Sequence, residues 1–272
     1  MNLVTLAALF GLIVGSFLNV VVYRFNTGKS LNGRSHCLSC GHTLSWLTLF
    51  PVVSYLALRG RCAYCSARIS PRYMLVEVLT ASLFGMVAYL VHEPLSLVLL
   101  LAFMAFCVLV LVYDLLHTII PDTFVVGMSL IAFALSGVDY WYTDDVYALL
   151  LRALGAATGF LFFASLWMLS QGRWIGLGDA KLAIPLGLVA SFPAMISVIV
   201  LSFWIGALVS IVLIVLQHLL KRGQHRLPFL RTSLTIKSEV PFAPFLIAGF
   251  LLVHFYAFNV FTFIASLLYT SL

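Results

Sequence analysis

The chain has 272 residues, of which 63% are hydrophobic and only 9% are charged, and its mean hydropathy is +1.12. Soluble domains are about 45–50% apolar and about 25% charged, while disordered chains combine low hydrophobicity with high net charge, so this composition excludes both classes. The formal net charge of +6 does not indicate nucleic-acid binding, because the cations lie mainly in short polar segments between apolar stretches. The composition predicts a polytopic membrane protein.

Eight apolar segments follow one another along the chain, and about 20 apolar residues are enough for a helix to cross a membrane. The predicted spans are residues 3–23, 74–92, 95–113, 123–137, 146–169, 182–194, 196–220 and 242–268. Pro185, Gly187 and Pro193 predict that the sixth span is short or broken. We therefore expect an all-α polytopic membrane protein with about eight transmembrane helices and a polar loop, residues 24–73, between the first two.

The positive charges orient these spans. Fourteen of the 15 Lys and Arg residues fall in three polar loops, residues 24–73, 170–181 and 221–240, and Arg152 is the exception. Short loops rich in Lys and Arg stay on the cytoplasmic side, so all three loops are predicted to be cytoplasmic and both termini to lie outside. Cations follow the first apolar segment rather than precede it, so we interpret it as an uncleaved span and not as a secretory signal.

Four of the five cysteines lie in the loop of residues 24–73 as two C-x2-C pairs separated by 21 residues. These are Cys37, Cys40, Cys62 and Cys65. Two such pairs are typical of a structural Zn²⁺ site with four thiolates, which leaves no open position for catalysis. A reducing cytoplasm makes disulfides or a redox C-x-x-C the weaker interpretation. His36 and His42 border the first pair and are alternative ligands.

Acidic residues at the ends of apolar segments are the candidate catalytic groups, since ionisable residues in or beside a span usually mark function. Asp114 ends the third span, and Asp179 follows Gly176 and Gly178 just before the sixth. Two facing carboxyl groups cannot both ionise easily, so one acts as an acid and the other as a base. Such a dyad can activate water and protonate the leaving amine of a peptide bond, and the glycines permit close approach of a substrate.

Other polar residues nearby have structural interpretations. Asp122 follows Pro121 and precedes an apolar helix, so its position predicts an N-cap. Lys181 is interpreted as a charge anchor and His117 as a polar residue at a helix end. Asp114 taken alone would also fit an interfacial residue that ends a helix. The pairing of Tyr-Asp with Gly-Leu-Gly-Asp favours the catalytic interpretation.

Several motifs in this order resemble the bifunctional type IV prepilin peptidases, and the likeness covers nearly the whole chain. The motifs are GSFLNVVVYR (15–24), the two cysteine pairs, RGRCAYC (59–65), ISPRYMLVEVLTA (69–81), YDLLHTIIPD (113–122) and GLGDAKL (176–182). The chain departs from the family's usual pattern at Gly33 and at residues 48–51. These departures concern the N-terminal half and leave the two aspartates untouched.

The resemblance implies an aspartyl endopeptidase that removes the basic leader from type IV prepilins or type II secretion pseudopilins at the cytoplasmic face of the bacterial inner membrane. Asp114 and Asp179 would be its catalytic residues, in a six-helix protease module of residues 93–272. Residues 1–92 would form the module associated with N-methylation of the new N-terminal residue by S-adenosylmethionine. A substrate helix that reaches the dyad from the bilayer also implies a lateral opening between spans.

The position of the methyl-donor site is not given by a motif, because the chain has no glycine-rich Rossmann fingerprint. Glu77 and Arg72, where the polar loop meets the second span, are the candidate residues for methyl transfer. Residues in such positions more often anchor a helix at the interface.

Three alternatives stay open at this point. An intramembrane protease resembling presenilin or signal peptide peptidase also carries Tyr-Asp and Gly-Leu-Gly-Asp. A proton-coupled transporter would use Asp114 and Asp179 as a relay, although transporters usually place such acids near the midplane between repeated halves. A quinone-linked thiol oxidoreductase would use the C-x-x-C pairs. The expected partners are membrane-embedded prepilins or pseudopilins and the lipid bilayer, with no nucleic acid.

Overall fold

A computed structural model describes residues 2–28, 30–222 and 241–263, without the side chains of residues 217–222. Its helices are α1 (Leu3–Arg24), α2 (Val53–Ala57), α3 (Arg72–Leu90), α4 (Pro94–His117), α5 (Asp122–Thr143), α6 (Val146–Ser170), α7 (Leu177–Ala190), α8 (Ala194–Arg222) and α9 (Ala243–Tyr256). A three-residue 3₁₀ helix, Leu47–Leu49, precedes α2. Within the described ranges the chain forms no strand beyond two isolated bridges. The all-α prediction is confirmed.

Six of the described helices, α1, α3, α4, α5, α6 and α8, are long and apolar enough to cross a membrane. The remaining two predicted spans correspond to α7 and α9, which have 14 residues each. A multi-pass membrane protein is therefore the class of this chain. The predicted loop of residues 221–240 lies outside the described residues from residue 223 onward, as does the end of the last predicted span.

Three predicted spans had wrong boundaries. Helix α5 continues to Thr143 instead of ending at residue 137, because Asp139 on its extra turn pairs with Arg152 of α6 at 2.9 Å. Helix α7 begins five residues before the predicted start of the sixth span and ends four residues before its predicted end. The predicted last span is interrupted after α9, where Ala257 has a φ of +49°. Asn259 then accepts a hydrogen bond from the N–H of Phe261, as a cap for a new turn.

Two compact units divide the chain, an N-terminal unit (Met1–Tyr113) and a C-terminal unit (Asp114–Leu272). In the N-terminal unit, α1 packs along α3 through small residues four positions apart. A Cβ added at Gly11 would lie 2.7 Å from Cα of Ala81, and one added at Gly15 would lie 2.8 Å from Cα of Glu77. Small residues let helix backbones approach this closely, which is how helices associate when lipid supplies no hydrophobic driving force.

Gly15→Ala should destabilise the N-terminal unit by about 1–3 kcal/mol, because the new methyl group must push α1 and α3 apart. Gly85→Ala is the matched control, since a Cβ there meets Ala8 at an ordinary 3.6 Å. Unfolding in mixed detergent micelles, followed by loss of helical circular dichroism, measures the difference. Equal stability of the two variants would contradict the tight packing at Gly15.

In the C-terminal unit, the short helix α7 is the core, packed against α5, α6, α8 and α9. Leu182 and Leu186 are fully buried, and the contact with α6 is so close that a Cβ on Gly187 would lie 2.5 Å from the carbonyl oxygen of Gly155. Protein rather than lipid surrounds this helix. It therefore does not need the length of a span, and its first turn can carry an acidic residue.

Candidate functional site

The two candidate catalytic aspartates both lie in the C-terminal unit. Asp114 is in the last turn of α4, and Asp179 is in the first turn of α7. Their exposed fractions are only 5% and 7%, and the two carboxyl groups are close enough to interact electrostatically. Two carboxyl groups in such a setting titrate as a pair and do not both ionise readily.

Each carboxylate also meets the N-terminus of a helix. The backbone N–H of Ala243, the first residue of α9, lies near the carboxyl group of Asp114, and the N–H of Gly176, the N-cap of α7, lies near that of Asp179. The first N–H groups of a helix have no intrahelical partner and carry partial positive charge, so they favour a carboxylate. The role of Ala243 was missed from the sequence, because only tertiary packing brings the start of α9 near Asp114.

The glycines beside Asp179 have separate roles. Gly176 takes an extended conformation before α7, and a Cβ there would lie 3.6 Å from Oδ2 of Asp179. A Cβ on Gly178 would lie 3.2 Å from Cβ of Ile120, in the segment between α4 and α5. A Cβ at position 176 would thus make only an ordinary contact with the carboxyl group, whereas Gly178 lets the first turn of α7 pack closely against Ile120.

The predicted N-cap role of Asp122 was wrong. Asp122 is the first helical residue of α5, Pro121 occupies the cap, and no side chain caps this helix. Oδ1 of Asp122 instead accepts from Nζ of Lys181 at 2.7 Å, which ties the start of α5 to α7 two residues after Asp179. Lys181 is therefore the charge anchor that its sequence position suggested. Asp122 is 68% exposed, so it lies apart from the buried pair.

The four loop cysteines come together in the N-terminal unit. Their Sγ atoms all lie within 4.8 Å of one another, and those of Cys37 and Cys65 are 3.8 Å apart. Tetrahedral Zn–S bonds of about 2.3 Å place sulfur atoms about 3.8 Å apart, so this arrangement fits a four-thiolate metal site. All five cysteines are free thiols. Backbone N–H groups of Cys40 and Ser39 lower the pKa of the Cys37 thiol to about 6.

Each cysteine pair forms the same type of turn. The N–H of Cys37 bonds the carbonyl of His42, and the N–H of Cys62 bonds the carbonyl of Ala67. The residue after each pair has a positive φ, +71° at Gly41 and +58° at Ser66. The cluster consists of cysteines alone, so neither predicted alternative ligand, His36 or His42, belongs to it. The ring of His42 instead packs on Tyr64 of the other turn at 3.7 Å.

A cavity of about 470 Å³ lies beside this cluster, where α1, the loop and α3 meet. Glu77 lines it and is 8% exposed, whereas Arg72 does not line it and places its guanidinium 5.1 Å from the ring centre of Tyr73. The structure thus brings one of the two methyl-transfer candidates into a cavity. Asn19 and Arg24 also line it and were missed as site residues. Their polar side chains within or at the end of an apolar span were the available signal.

Arg24 was counted in the sequence only as a cation that sets orientation. The structure buries it and directs its guanidinium to four carbonyl oxygens of the following loop, at 3.0 to 3.3 Å. The acceptors are Ser30, Leu31, Asn32 and Arg34. Arg24 therefore shapes the chain between α1 and the first cysteine pair.

Comparison with known proteins gives two family matches, one towards each end of the chain. Residues 9–91 match the bacterial peptidase A24 N-terminal domain, and residues 101–211 match the type IV leader peptidase family. No solved structure gives a significant match.

Three curated relatives show how far the similarity extends. The chain is 36% identical over 210 residues to a prepilin leader peptidase/N-methyltransferase of Myxococcus xanthus, covering 75% of this chain and 61% of that protein. It is 30% identical over 259 residues to the Bacillus subtilis protein of the same name, covering 94% and 95%. It is 32% identical over 255 residues to a type 4 prepilin-like proteins leader peptide-processing enzyme of Escherichia coli, covering 82% and 88%.

Proposed function

Because the chain belongs to the type IV leader peptidase family, we propose that it removes the basic leader peptide from prepilins or pseudopilins and then methylates the new N-terminal residue. The observation that carries the proteolytic part is the pair of buried carboxyl groups, Asp114 and Asp179, each met by the first N–H group of a helix. No other pair of acids among the described residues is buried in this way.

Hydrolysis needs one carboxylate and one carboxylic acid. The carboxylate accepts a proton from water as the water oxygen attacks the scissile carbonyl carbon. The carboxylic acid donates its proton as the carbon–nitrogen bond breaks, so the leaving amine departs neutral. Electrostatic repulsion between Asp114 and Asp179 supplies this asymmetry, because it disfavours the doubly ionised pair.

We place the active site at the cytoplasmic face of the bacterial inner membrane, with both termini on the other side. The distribution of Lys and Arg among the loops supports this orientation. A leader rich in Lys and Arg stays in the cytoplasm while the apolar segment of the pilin lies in the bilayer. Cleavage between them belongs at the membrane interface, where Asp114 ends a predicted span. The substrate helix enters through a lateral opening between helices.

The metal of the four-cysteine cluster is Zn²⁺ in this proposal. Four thiolates at tetrahedral spacing complete its coordination, so it folds the loop and takes no part in chemistry. Residues 1–92 are the module associated with methylation, and residues 93–272 are the protease module. When bound, S-adenosylmethionine supplies an electrophilic methyl group to the lone pair of the new N-terminal amine.

Incubation of the purified protein with a full-length prepilin in detergent, followed by mass spectrometry of the product, tests this function. We expect loss of the leader alone without S-adenosylmethionine, and a further mass gain of one methyl substitution when the methyl donor is present. Cleavage within the apolar segment would favour the presenilin-like alternative. An intact prepilin would reject the peptidase assignment, and a cleaved but never methylated product would reject the methyltransferase assignment.

A further inference from the structure

The cavity of the N-terminal unit is built from three separate parts of the chain. The last turns of α1 contribute Ser16, Asn19 and Tyr23, the four-cysteine loop forms one wall, and the first turns of α3 contribute Tyr73 and Glu77. Its volume of about 470 Å³ lies within the range of cavities that enclose a small organic ligand. Its walls contain apolar and aromatic side chains as well as polar groups, as in sites that orient a ligand with apolar and polar parts.

Glu77 is the only acidic residue among those that line the cavity. Its Oε2 accepts the N–H of Val52 at 2.8 Å, and Ser16 lines the same cavity near its carboxyl group. Within the described part of the chain, no Lys or Arg forms an ion pair with it. A buried carboxyl group without a cationic partner either takes up a proton or gains a cation, and only a cation keeps it ionised. A cationic ligand in this cavity would therefore stabilise the ionised form of Glu77.

The other charged side chain that is buried in the cavity wall does not supply this partner. The guanidinium of Arg24 is occupied by four loop carbonyls. The backbone around Glu77 is also unusual, since Val52 has a φ of +60°, which β-branched residues rarely adopt. The loop thus holds a strained residue in place to direct an N–H group at this carboxylate.

We propose that this cavity is the binding site for S-adenosylmethionine and that the carboxylate of Glu77 faces its sulfonium group. This inference rests on the methyltransferase part of the proposed function and adds the location of the donor. The sulfonium is the cation that the cavity lacks, and aromatic side chains such as Tyr73 offer surfaces for the adenine ring.

The charge of the Glu77 carboxylate makes this site favour the methyl donor over the spent product. Methyl transfer breaks the bond between the methyl carbon and sulfur, the electron pair stays on sulfur, and the sulfur becomes neutral. The amine that accepts the methyl group releases one proton to solvent. A carboxylate next to the sulfur therefore stabilises S-adenosylmethionine more than S-adenosylhomocysteine, so the spent donor is bound more weakly and leaves.

Isothermal titration of the full-length protein in detergent with each of the two compounds tests the site. Ser54 lines the cavity from α2, while Val53, its neighbour on the same helix, is 57% exposed and does not. Ser54→Phe should abolish binding of S-adenosylmethionine, and Val53→Phe should leave it unchanged. Binding by Ser54→Phe at the wild-type level would overturn the location.

Glu77→Gln tests the role of the carboxylate, because the amide oxygen can still accept the N–H of Val52. We expect affinity for S-adenosylmethionine to fall by about tenfold or more, as for loss of a charge-assisted contact, and affinity for S-adenosylhomocysteine to change much less. An equal loss for both compounds, or no loss, would overturn the placement of Glu77 at the sulfonium. Zinc content and thermal unfolding show whether the variant is folded, and if it is not, the two α2 variants decide the location.

Leader removal and methylation assayed in the same samples separate this proposal from the broader function. If the wild-type protein methylates a prepilin while Ser54→Phe still binds the donor, the location of the donor site in this cavity is refuted. The methyltransferase function is then unaffected. A wild-type protein that neither methylates nor binds S-adenosylmethionine would refute the methyltransferase function, and the cavity proposal with it.

Discussion

Asp114→Asn and Asp179→Asn should each slow leader removal by about 10²- to 10⁴-fold, the range for loss of a positioned acid or base. Both side chains are buried and each faces the N–H group of a helix N-terminus. An asparagine keeps the size of the side chain and an oxygen acceptor but cannot carry the shuttled proton. Single-turnover cleavage of a prepilin in detergent, with the product quantified by mass spectrometry, measures the effect.

Asp144→Asn is the matched control for this experiment. Asp144 is an exposed aspartate at the end of α5, and its φ of +50° is one that asparagine also tolerates. We expect wild-type cleavage from this variant, and correct membrane insertion of all three proteins. Cleavage close to the wild-type rate by Asp114→Asn or Asp179→Asn would remove the dyad from the mechanism.

Cys62→Ser should release the metal of the four-cysteine cluster and, with it, binding of S-adenosylmethionine. The wild-type protein should contain about one zinc per chain, since four thiolates complete one tetrahedral site. Cys62 is buried, and Cys37 and Cys62, one from each pair, line the cavity. Loss of the metal therefore removes a wall of the donor site. Metal analysis and titration calorimetry of the purified variant measure both effects.

Cys107→Ala is the control here, because Cys107 is buried in α4 and lies outside the cluster. It should keep both the zinc and the donor. Leader removal should persist in Cys62→Ser, since both aspartates belong to the C-terminal unit. Full donor binding by a metal-free Cys62→Ser protein would show that the cluster does not support the cavity.

Much of the fold was predicted from local sequence patterns. Long apolar segments predicted the helices, and the C-x2-C spacing predicted the cluster, because each signal comes from residues that are near one another in the chain. The end of α5 and the start of α7 were misplaced for the opposite reason. In the sequence Asp139 suggests the end of a helix, and only the structure shows that it pairs with Arg152. Helix α7 has the sequence of a weak span, and only the structure shows that other helices surround it.

The candidate site residues were likewise predicted where the sequence signal is local and missed where it depends on tertiary packing. Asp114 and Asp179 stood out because acids are scarce in this chain, and in the structure both are buried and interact electrostatically. The N–H of Ala243 carries no side-chain signature, so only the packing of α9 reveals it. Glu77 was a candidate by position alone, and its distinction from Arg72 required the cavity.

The contact of Arg24 with four carbonyl oxygens between residues 30 and 34 bears on how the loop is assembled. All four acceptors lie within ten residues of Arg24, so these bonds close a short loop directly after α1 and need no residue of the C-terminal unit. Cys65 precedes α3, so all four thiolates are present before the second membrane helix exists. The metal cluster therefore uses only residues between the first two membrane helices, and α3 completes the cavity with Glu77.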